Sequence, residues 1–206
     1  MSQVAYLPAG KREQTKLQNR AAILDAAREV FGELGYEAAT VRDIIRRTGL
    51  AAGTFYNYYR SKEEVFAALA EEGARKFQPI LKAERVKARD FETFVRGAIR
   101  AYYRFLADEH ANWIARRPPE EPHPHLRSET PEGQAVFAEV RAAIVEESRR
   151  GGPAGDPDYL AAACIAIARE VGEKMLQRRP IDTEGAAEFA MAMILGGARS
   201  LPGAKS

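Results

Sequence analysis

The sequence is poor in cysteine, in long apolar runs and in net charge, and each shortage excludes a class of protein. Cys164 is the single cysteine among 206 residues, so no disulfide can form within the chain and the fold needs no oxidising compartment. One of the most apolar runs, 160–168, ends at Arg169 and is far shorter than the roughly 20 residues that cross a bilayer. The first 20 residues contain no apolar stretch of signal-peptide length, so we expect a cytoplasmic protein without a membrane segment.

The net charge is only +2, which identifies no binding partner, but the charge is unevenly distributed. Residues 1–62 contain 10 basic and 6 acidic residues, whereas residues 63–206 contain 21 basic and 23 acidic residues. The positive excess therefore lies at the front of the chain.

No pattern typical of a catalytic or metal centre is present. The sequence lacks a nucleophile motif and a phosphate-binding loop, and Cys164 lies in an apolar run without a nearby histidine, which favours a buried structural thiol. The His-Pro-His segment 123–125 lies near His110, Glu120 and Glu121, but no cysteine pair or helical histidine pair completes a zinc site. We therefore predict a surface loop there, no metal, no cofactor and no enzymatic activity.

The hydrophobic periodicity of the chain is helical. Apolar residues follow one helix face over 23–34, and Gly35 comes where a helix is expected to end. Thr40 is the hydroxyl N-cap of a second helix that Gly49 ends, and a third, short helix is predicted over 52–59. These three helices are followed by a longer one.

The remainder of the chain also shows only helical patterns. Pro79 predicts an end or a kink in the fourth helix, and the proline-rich segment Arg117–Ser128 predicts an irregular loop. Further helices are expected to begin near Phe91, Thr130, Asp156 and Asp182 or Thr183. No strand is predicted, so the expected fold class is all-α.

The two short helices at 40–48 and 52–59 have the arrangement of a helix-turn-helix. In that motif the second helix enters the major groove of DNA while the first crosses the phosphate backbone. Phe55 and Tyr59 form the predicted inward face of the second helix, and Lys62 begins the next helix, where a cation and free amides can hold a phosphate. The side chains able to contact phosphates or base edges are Thr54, Tyr56, Asn57 and Tyr58.

A dense set of residues over 20–69 recurs at the spacings of a known family. The set comprises Ile23-Leu24, Ala26-Ala27, Phe31, Gly35-Tyr36, Thr40, Ile44, Gly49-Leu50, Gly53-Thr54, Tyr56, Tyr58-Tyr59, Lys62-Glu63 and Val65. With these residues the segment resembles the TetR family of transcriptional repressors. The resemblance implies an N-terminal arm and three-helix DNA-binding domain at 1–62, and a helical ligand-binding and dimerisation domain at 63–206. It places the DNA contacts on Thr40, Arg42, Ala52, Gly53, Thr54, Tyr56, Asn57, Tyr58 and Lys62.

Two positions depart from the family pattern. Ala51 stands where many members have a serine N-cap, which costs about 1 kcal/mol of capping energy. Ala52 replaces a long polar residue, leaving at most an apolar contact with a thymine methyl group. Phosphate binding then depends more on a basic arm that precedes the first helix. This arm either contacts DNA or is a solvated tail, and the sequence leaves both interpretations open. The basic residues of this arm are Lys11, Arg12, Lys16 and Arg20.

The C-terminal two thirds of the chain predict a ligand pocket and candidate lining residues, but they do not identify the ligand. Its candidate lining is an aromatic and aliphatic stripe, although each residue of the stripe alone fits a structural core as well. An apolar or aromatic effector is expected, since ligand pockets are mostly apolar with a few polar groups. The candidates are Phe94, Ile99, Tyr102, Tyr103, Leu106, Trp113, Phe137 and Ile144.

The last two predicted helices suggest a dimer interface. Both carry apolar stripes with small residues beside them, which would allow a four-helix bundle between two subunits, as in the family. Packing within one chain is the alternative for the same stripes. The interface candidates are Tyr159, Ala163, Ile167 and Val171 on one helix and Ala187, Met191, Ile194 and Ala198 on the other.

These patterns together predict a homodimeric repressor that binds a near-palindromic DNA operator and is released by a small-molecule effector. Two alternatives stay open. One is a DNA-binding activator or ligand-independent regulator. The other is an all-helical enzyme or lipid carrier, for which the sequence contains no catalytic motif.

Overall fold

The computed structural model describes residues 10–114, 130–150 and 155–201, in which every regular element is an α-helix. The helices are α1 (Lys11–Leu34), α2 (Val41–Thr48), α3 (Ala52–Tyr56), α4 (Lys62–Lys87), α5 (Phe91–Ile114), α6 (Pro131–Ser148), α7 (Pro157–Leu176) and α8 (Thr183–Ser200). The described ranges contain no strand, which confirms the all-α fold class. The predicted loop Arg117–Ser128, with the histidines at 123 and 125, lies outside them.

Two hydrophobic cores organise the described helices. The N-terminal core joins α1, α2, α3 and the first turns of α4, with Phe31, Ile44 and Phe55 fully buried. The second core joins the remainder of α4 to α5, α6, α7 and α8 around Ile144 and other buried residues. The boundary predicted after residue 62 therefore falls at the start of a continuous helix that contributes to both cores.

Helix α2 begins and ends where the sequence predicted, because both of its ends are encoded locally. The Thr40 hydroxyl accepts a hydrogen bond from the Asp43 amide, and the Asp43 carboxylate accepts one from the Thr40 amide. Hydrogen bonding from the Thr40 side chain also holds the pKa of Asp43 below its ordinary value. At the other end Gly49 has a φ of 67°, in the left-handed region that favours glycine.

Helix α4 corrects the prediction of an end or kink at Pro79. It continues through this proline to Lys87. Pro79 is exposed, so water can hydrate the carbonyl that loses its partner four residues earlier. Phe77 and Leu81, two residues to either side of Pro79, are 7% and 2% exposed in the second core. Their packing keeps the helix continuous across the proline.

The basic segment at the front of the chain is helical rather than an arm that precedes the first helix. Helix α1 begins at Lys11, so Arg12, Lys16 and Arg20 lie on its first turns. The Arg20 Nε donates a hydrogen bond of 3.1 Å to the Tyr59 hydroxyl, which ties this turn to the end of the helix-turn-helix. The helical periodicity of 23–34 did not reveal the extension because the added turns are polar.

The second core forms from helices that run side by side. Helix α5 lies at its centre and packs against α4, α6, α7 and α8. Helix α5 also packs against α1, and this contact joins the second core to the N-terminal core. No helix in the described ranges combines the length and the apolarity needed to span a membrane.

Candidate DNA-binding surface and ligand cavity

The second helix of the helix-turn-helix presents one face to solvent and is held by the other. Ala52, Gly53 and Asn57 are exposed, and Tyr56 is 56% exposed. Thr54 and Tyr58 are half-buried, with Tyr58 packed against the edge of the N-terminal core. These six predicted contact residues thus lie in the exposed turns of α3 and directly after it.

The inward face of α3 rests on two aromatic side chains, as predicted. Phe55 is fully buried and Tyr59 is 7% exposed, with 6.3 Å between their ring centroids. Ala51 makes no side-chain cap, as its departure from the family pattern implied, and α3 spans five residues rather than the predicted eight. With no cap and little length, the orientation of α3 depends on this aromatic packing.

Thr40 and Arg42, predicted to contact DNA at the start of α2, are both exposed. The Thr40 side chain already takes part in the capping box, so its hydroxyl is engaged within the domain. Arg42 lies in the first turn of α2, beside the free amides of that helix. This is a position from which a guanidinium can reach a phosphate.

The structure corrects the prediction for Lys62. Its Nζ donates hydrogen bonds to the carbonyl oxygens of Tyr36, Glu37 and Ala39 at 2.8, 3.1 and 3.2 Å. The ammonium also lies 4.6 Å from the centroid of the Tyr36 ring. Because an ammonium has three N–H donors, all of them are used within the domain, and Lys62 anchors the connection between α1 and α2 instead of a phosphate.

We expect Lys62→Met to destabilise the protein by about 2 kcal/mol, since it removes charge-assisted hydrogen bonds to three carbonyl groups. Urea denaturation measures this change. The salt dependence of DNA binding should stay unchanged, whereas loss of a phosphate contact would lower its slope by about 0.9. A lower slope with unchanged stability would contradict the anchoring role.

A cavity of about 360 Å³ lies in the second core between α4, α5, α6 and α7. Its wall is largely apolar, which suits a small-molecule ligand. Five of the predicted pocket residues line it: Phe94, Ile99, Tyr102, Leu106 and Phe137. The side chain of Trp113, a further prediction, is outside the described part of the structure.

Tyr103 and Ile144, also predicted to line the pocket, do not. Both are fully buried in the second core, away from the cavity wall. Both residues belong to the same apolar stripes as residues that line the cavity. Because each stripe is wider than the cavity, some of its residues pack against neighbouring helices instead. The Tyr103 hydroxyl has no hydrogen-bond partner among the described residues.

Replacing Tyr103 with phenylalanine is expected to raise the free energy of unfolding by about 1–2 kcal/mol. The substitution removes a hydroxyl that is desolvated on folding without gaining a partner, and it keeps the ring in place. Thermal and urea denaturation of the two proteins measure the difference. A destabilised variant would show that the hydroxyl has a partner in solution.

Several lining residues escaped the sequence analysis. They include Leu69, Gly73 and Phe77 of α4 and the charged residues Arg28, Glu109 and Arg169. No local signal distinguishes them from ordinary helix positions, because the cavity exists only where several helices meet. Cys164 also lines the cavity, and burial raises the pKa of its thiol to about 11, so the prediction of a buried, unreactive cysteine is supported.

The predicted dimer stripe on α8 packs within its own chain, which is the alternative that the sequence left open. Ala187, Met191, Ile194 and Ala198 are at most 4% exposed and pack inside the second core of the same chain. The exposed face of α8 instead carries Phe189 and Met193, at 59% and 52%, with Gly196 and Gly197 beside them. The helix is apolar on two faces, so periodicity alone selected the inner one.

The predicted stripe on α7 is partly accessible. Tyr159 is 79% exposed and Ala163 is exposed, whereas Ile167 and Val171 are half-buried. None of the four is enclosed in the core to the extent of the α8 stripe.

The sequence of the N-terminal core identifies its family. Residues 23–69 match the family of bacterial regulatory proteins called tetR. The N-terminal domain is a TetR-family domain. This TetR domain comprises the second half of α1, all of α2 and α3, and the first turns of α4, which together enclose the N-terminal core.

Curated relatives share mainly this TetR domain. The HTH-type transcriptional repressor AcnR of Corynebacterium efficiens is 36% identical over 83 residues, which are 40% of this chain and 42% of AcnR. The chain spans less than half the length of the curated relatives that it matches.

Solved structures extend the likeness beyond the TetR domain at the level of the fold. The fatty acid degradation regulator FadR from Bacillus halodurans has a TM-score of 0.65 and 22% identity, covering 88% of this chain and 96% of that chain. FadR from Bacillus subtilis, solved in complex with stearoyl-CoA, has a TM-score of 0.65 and 19% identity, covering 86% of this chain and 98% of that chain. The second core therefore has the fold of the C-terminal part of these regulators. Among the described residues, no cluster of potential metal ligands was found.

Proposed function

We propose that this protein is a DNA-binding transcriptional repressor that acts as a homodimer and responds to a small-molecule effector. The observation that carries the proposal is the TetR domain, in which Phe55 and Tyr59 hold α3 while Tyr56 and Asn57 face solvent. An anchored helix with an exposed polar face is the arrangement that reads base edges in a major groove. We propose Arg42, Ala52, Gly53, Thr54 and Tyr58 as further contacts, and Thr40 as a minor one.

The cavity supports effector binding. It has an apolar wall and a volume of about 360 Å³, within the range of small-molecule sites. Arg28 of α1 lines the same cavity as α4 and α5, so an occupant touches the helix on which the TetR domain is built. An effector that favours one arrangement of the two cores would then change DNA affinity, and DNA would change effector affinity by the same factor.

The exposed faces of α7 and α8 support the homodimer. Phe189 and Met193 present apolar side chains at i and i+4, and a Cβ placed on Gly196 or Gly197 would meet no atom within 4 Å. Such an open, small-residue surface lets another helix approach closely. Two TetR domains in a symmetric dimer would contact two half-sites separated by about 34 Å, or a multiple of that distance.

Selection of bound DNA from a random pool tests the proposal. We expect a near-palindromic site whose affinity falls as salt rises. Arg42→Ala should lower the salt slope by about 1, and Asn57→Ala should relax specificity at particular bases. Arg149→Ala, at an exposed arginine of the loop after α6, is the matched control and should leave both unchanged.

Binding to random DNA with equal affinity would overturn the repressor proposal. Reporter output with and without the protein distinguishes repression from activation of the selected site. The helix-turn-helix favours a regulator over an enzyme or a lipid carrier, and the curated relative AcnR is a transcriptional repressor.

A further inference from the structure

The cavity follows the length of α5 instead of crossing the helix bundle. The α5 residues on its wall extend from Phe91 to Glu109, which corresponds to about 27 Å of helix at 1.5 Å per residue. A volume of about 360 Å³ is small for a cavity that extends so far. The cavity is therefore a narrow tunnel, and a slender, linear molecule matches it better than a bulky ring system does.

The wall of this tunnel is polar at one end only. Near Phe91 and Leu81 the lining side chains carry no charge. The charged lining residues Arg28, Glu109 and Arg169 lie in the half nearer the TetR domain. Arg169 belongs to this half because its part of α7 packs there: a Cβ placed on Gly172, three residues after Arg169, would lie 2.9 Å from Leu106 in the C-terminal half of α5 and 3.7 Å from Tyr102. Burial raises the pKa of Tyr102 to about 12, and the nearby Arg169 charge opposes that increase.

The three charged residues differ in how well their charges are matched. Arg28 is paired with Asp25 at 2.5 Å and with Glu72 at 2.6 Å. Glu109 is paired with Lys76 at 2.9 Å.

Within the described ranges, Arg169 is paired only with Glu170, its neighbour in the chain, at 3.1 Å. An ion pair between exposed adjacent residues contributes little and is easily exchanged for another anion. Glu173, one turn further on α7, faces the same region, and its carboxylate accepts a hydrogen bond from Gln177. The guanidinium of Arg169 is thus the charged group of the wall that is most available to a ligand.

We propose that the tunnel binds a linear amphiphile with an anionic head group. The apolar chain extends toward Phe91 and Ile194, and the anion is held by the Arg169 guanidinium beside the Tyr102 hydroxyl. A guanidinium binds carboxylate and phosphate alike, so both head groups belong to the proposed class. This inference names the effector class of the proposed function and rests on it for its biological meaning, but it can be tested without DNA.

Titration calorimetry of the full chain with dodecanoate, dodecyl phosphate and 1-dodecanol tests the head group. We expect both anions to bind about tenfold more tightly than the alcohol, since a charge-assisted hydrogen bond is formed only with the anions. Arg169→Gln should abolish this preference and leave the affinity for the alcohol unchanged. Arg141→Gln is the matched control, because Arg141 is paired with Asp158 and does not line the cavity.

Chain length and shape test the tunnel. Ala98→Phe places a ring in the middle of the α5 wall and should weaken dodecanoate binding far more than hexanoate binding. Thermal denaturation verifies that the variant is folded, and the Arg169 variant decides the proposal independently if it is not.

Equal affinity of the wild-type protein for the anions and the alcohol, or an unchanged preference in Arg169→Gln, would overturn the assignment of the head group. Tighter binding of 2-naphthoate than of dodecanoate would overturn the linear tunnel. Neither result would contradict the repressor proposal, because operator selection tests that proposal in the absence of any amphiphile. If the amphiphile binds but operator affinity is unaffected by it, the site is real and the regulatory link of the proposed function is wrong.

Discussion

Replacing Phe55 with alanine is expected to destabilise the protein by about 3–5 kcal/mol and to abolish DNA binding. Phe55 is fully buried and is the one buried residue of α3, a five-residue helix without a side-chain cap. Loss of the ring leaves a cavity beneath α3 and removes its contact with Tyr59, so the orientation of the helix is no longer defined. Urea denaturation followed by circular dichroism measures the stability, and a fluorescence titration with the selected operator measures the affinity.

Two neighbouring substitutions provide the controls for this experiment. Phe55→Leu keeps most of the buried volume and should cost less than about 1.5 kcal/mol. Tyr56→Ala alters the adjacent, exposed side chain, so stability should change by no more than about 0.5 kcal/mol while operator affinity falls. If Phe55→Ala weakened stability but left operator affinity intact, α3 would not be the helix that contacts DNA.

The double substitution Phe189→Asp and Met193→Asp is expected to convert the proposed homodimer into monomers. It places two charges on the exposed apolar face of α8, where a partner helix would bury them unpaired. Operator affinity should fall by about 10²–10⁴-fold, because each TetR domain then binds its half-site without the advantage of linkage. Sedimentation equilibrium measures the mass, and operator titration measures the affinity.

Val86→Asp is the matched control for this pair, since Val86 is 75% exposed on α4 and lies outside the α7 and α8 faces. It should leave both the mass and the operator affinity unchanged. A protein that is monomeric before any substitution would contradict the dimer, and a double variant that stays dimeric would place the interface elsewhere.

Features that depend on near neighbours in the chain were accessible from the sequence. The ends of α2 follow from Thr40 and Gly49, and the start of α8 follows from Asp182, whose side chain accepts a hydrogen bond from the Gly185 amide. Phe55 and Tyr59 were assigned to the inward face because their spacing places them on one side of a helical turn. Caps and periodicity act over three or four residues, so they can be recognised without knowledge of the fold.

Features that depend on distant segments were not accessible in the same way. Lys62 looks like a phosphate ligand until the fold brings the carbonyls of Tyr36, Glu37 and Ala39 to its ammonium. Pro79 looks like a helix end until the packing of α4 shows it on the solvent side.

The single cysteine and the absence of long apolar runs excluded disulfides and membrane helices, while the helical periodicity and the dense motif over 20–69 were enough to define an all-α chain with a TetR domain. Composition and short-range spacing carry that information. The choice between the two apolar faces of α8, and the tunnel that Arg28, Glu109 and Arg169 border at one end, required the tertiary structure. Both are set by how helices distant in sequence meet, and the periodicity of a single helix does not specify which of its neighbours it will contact.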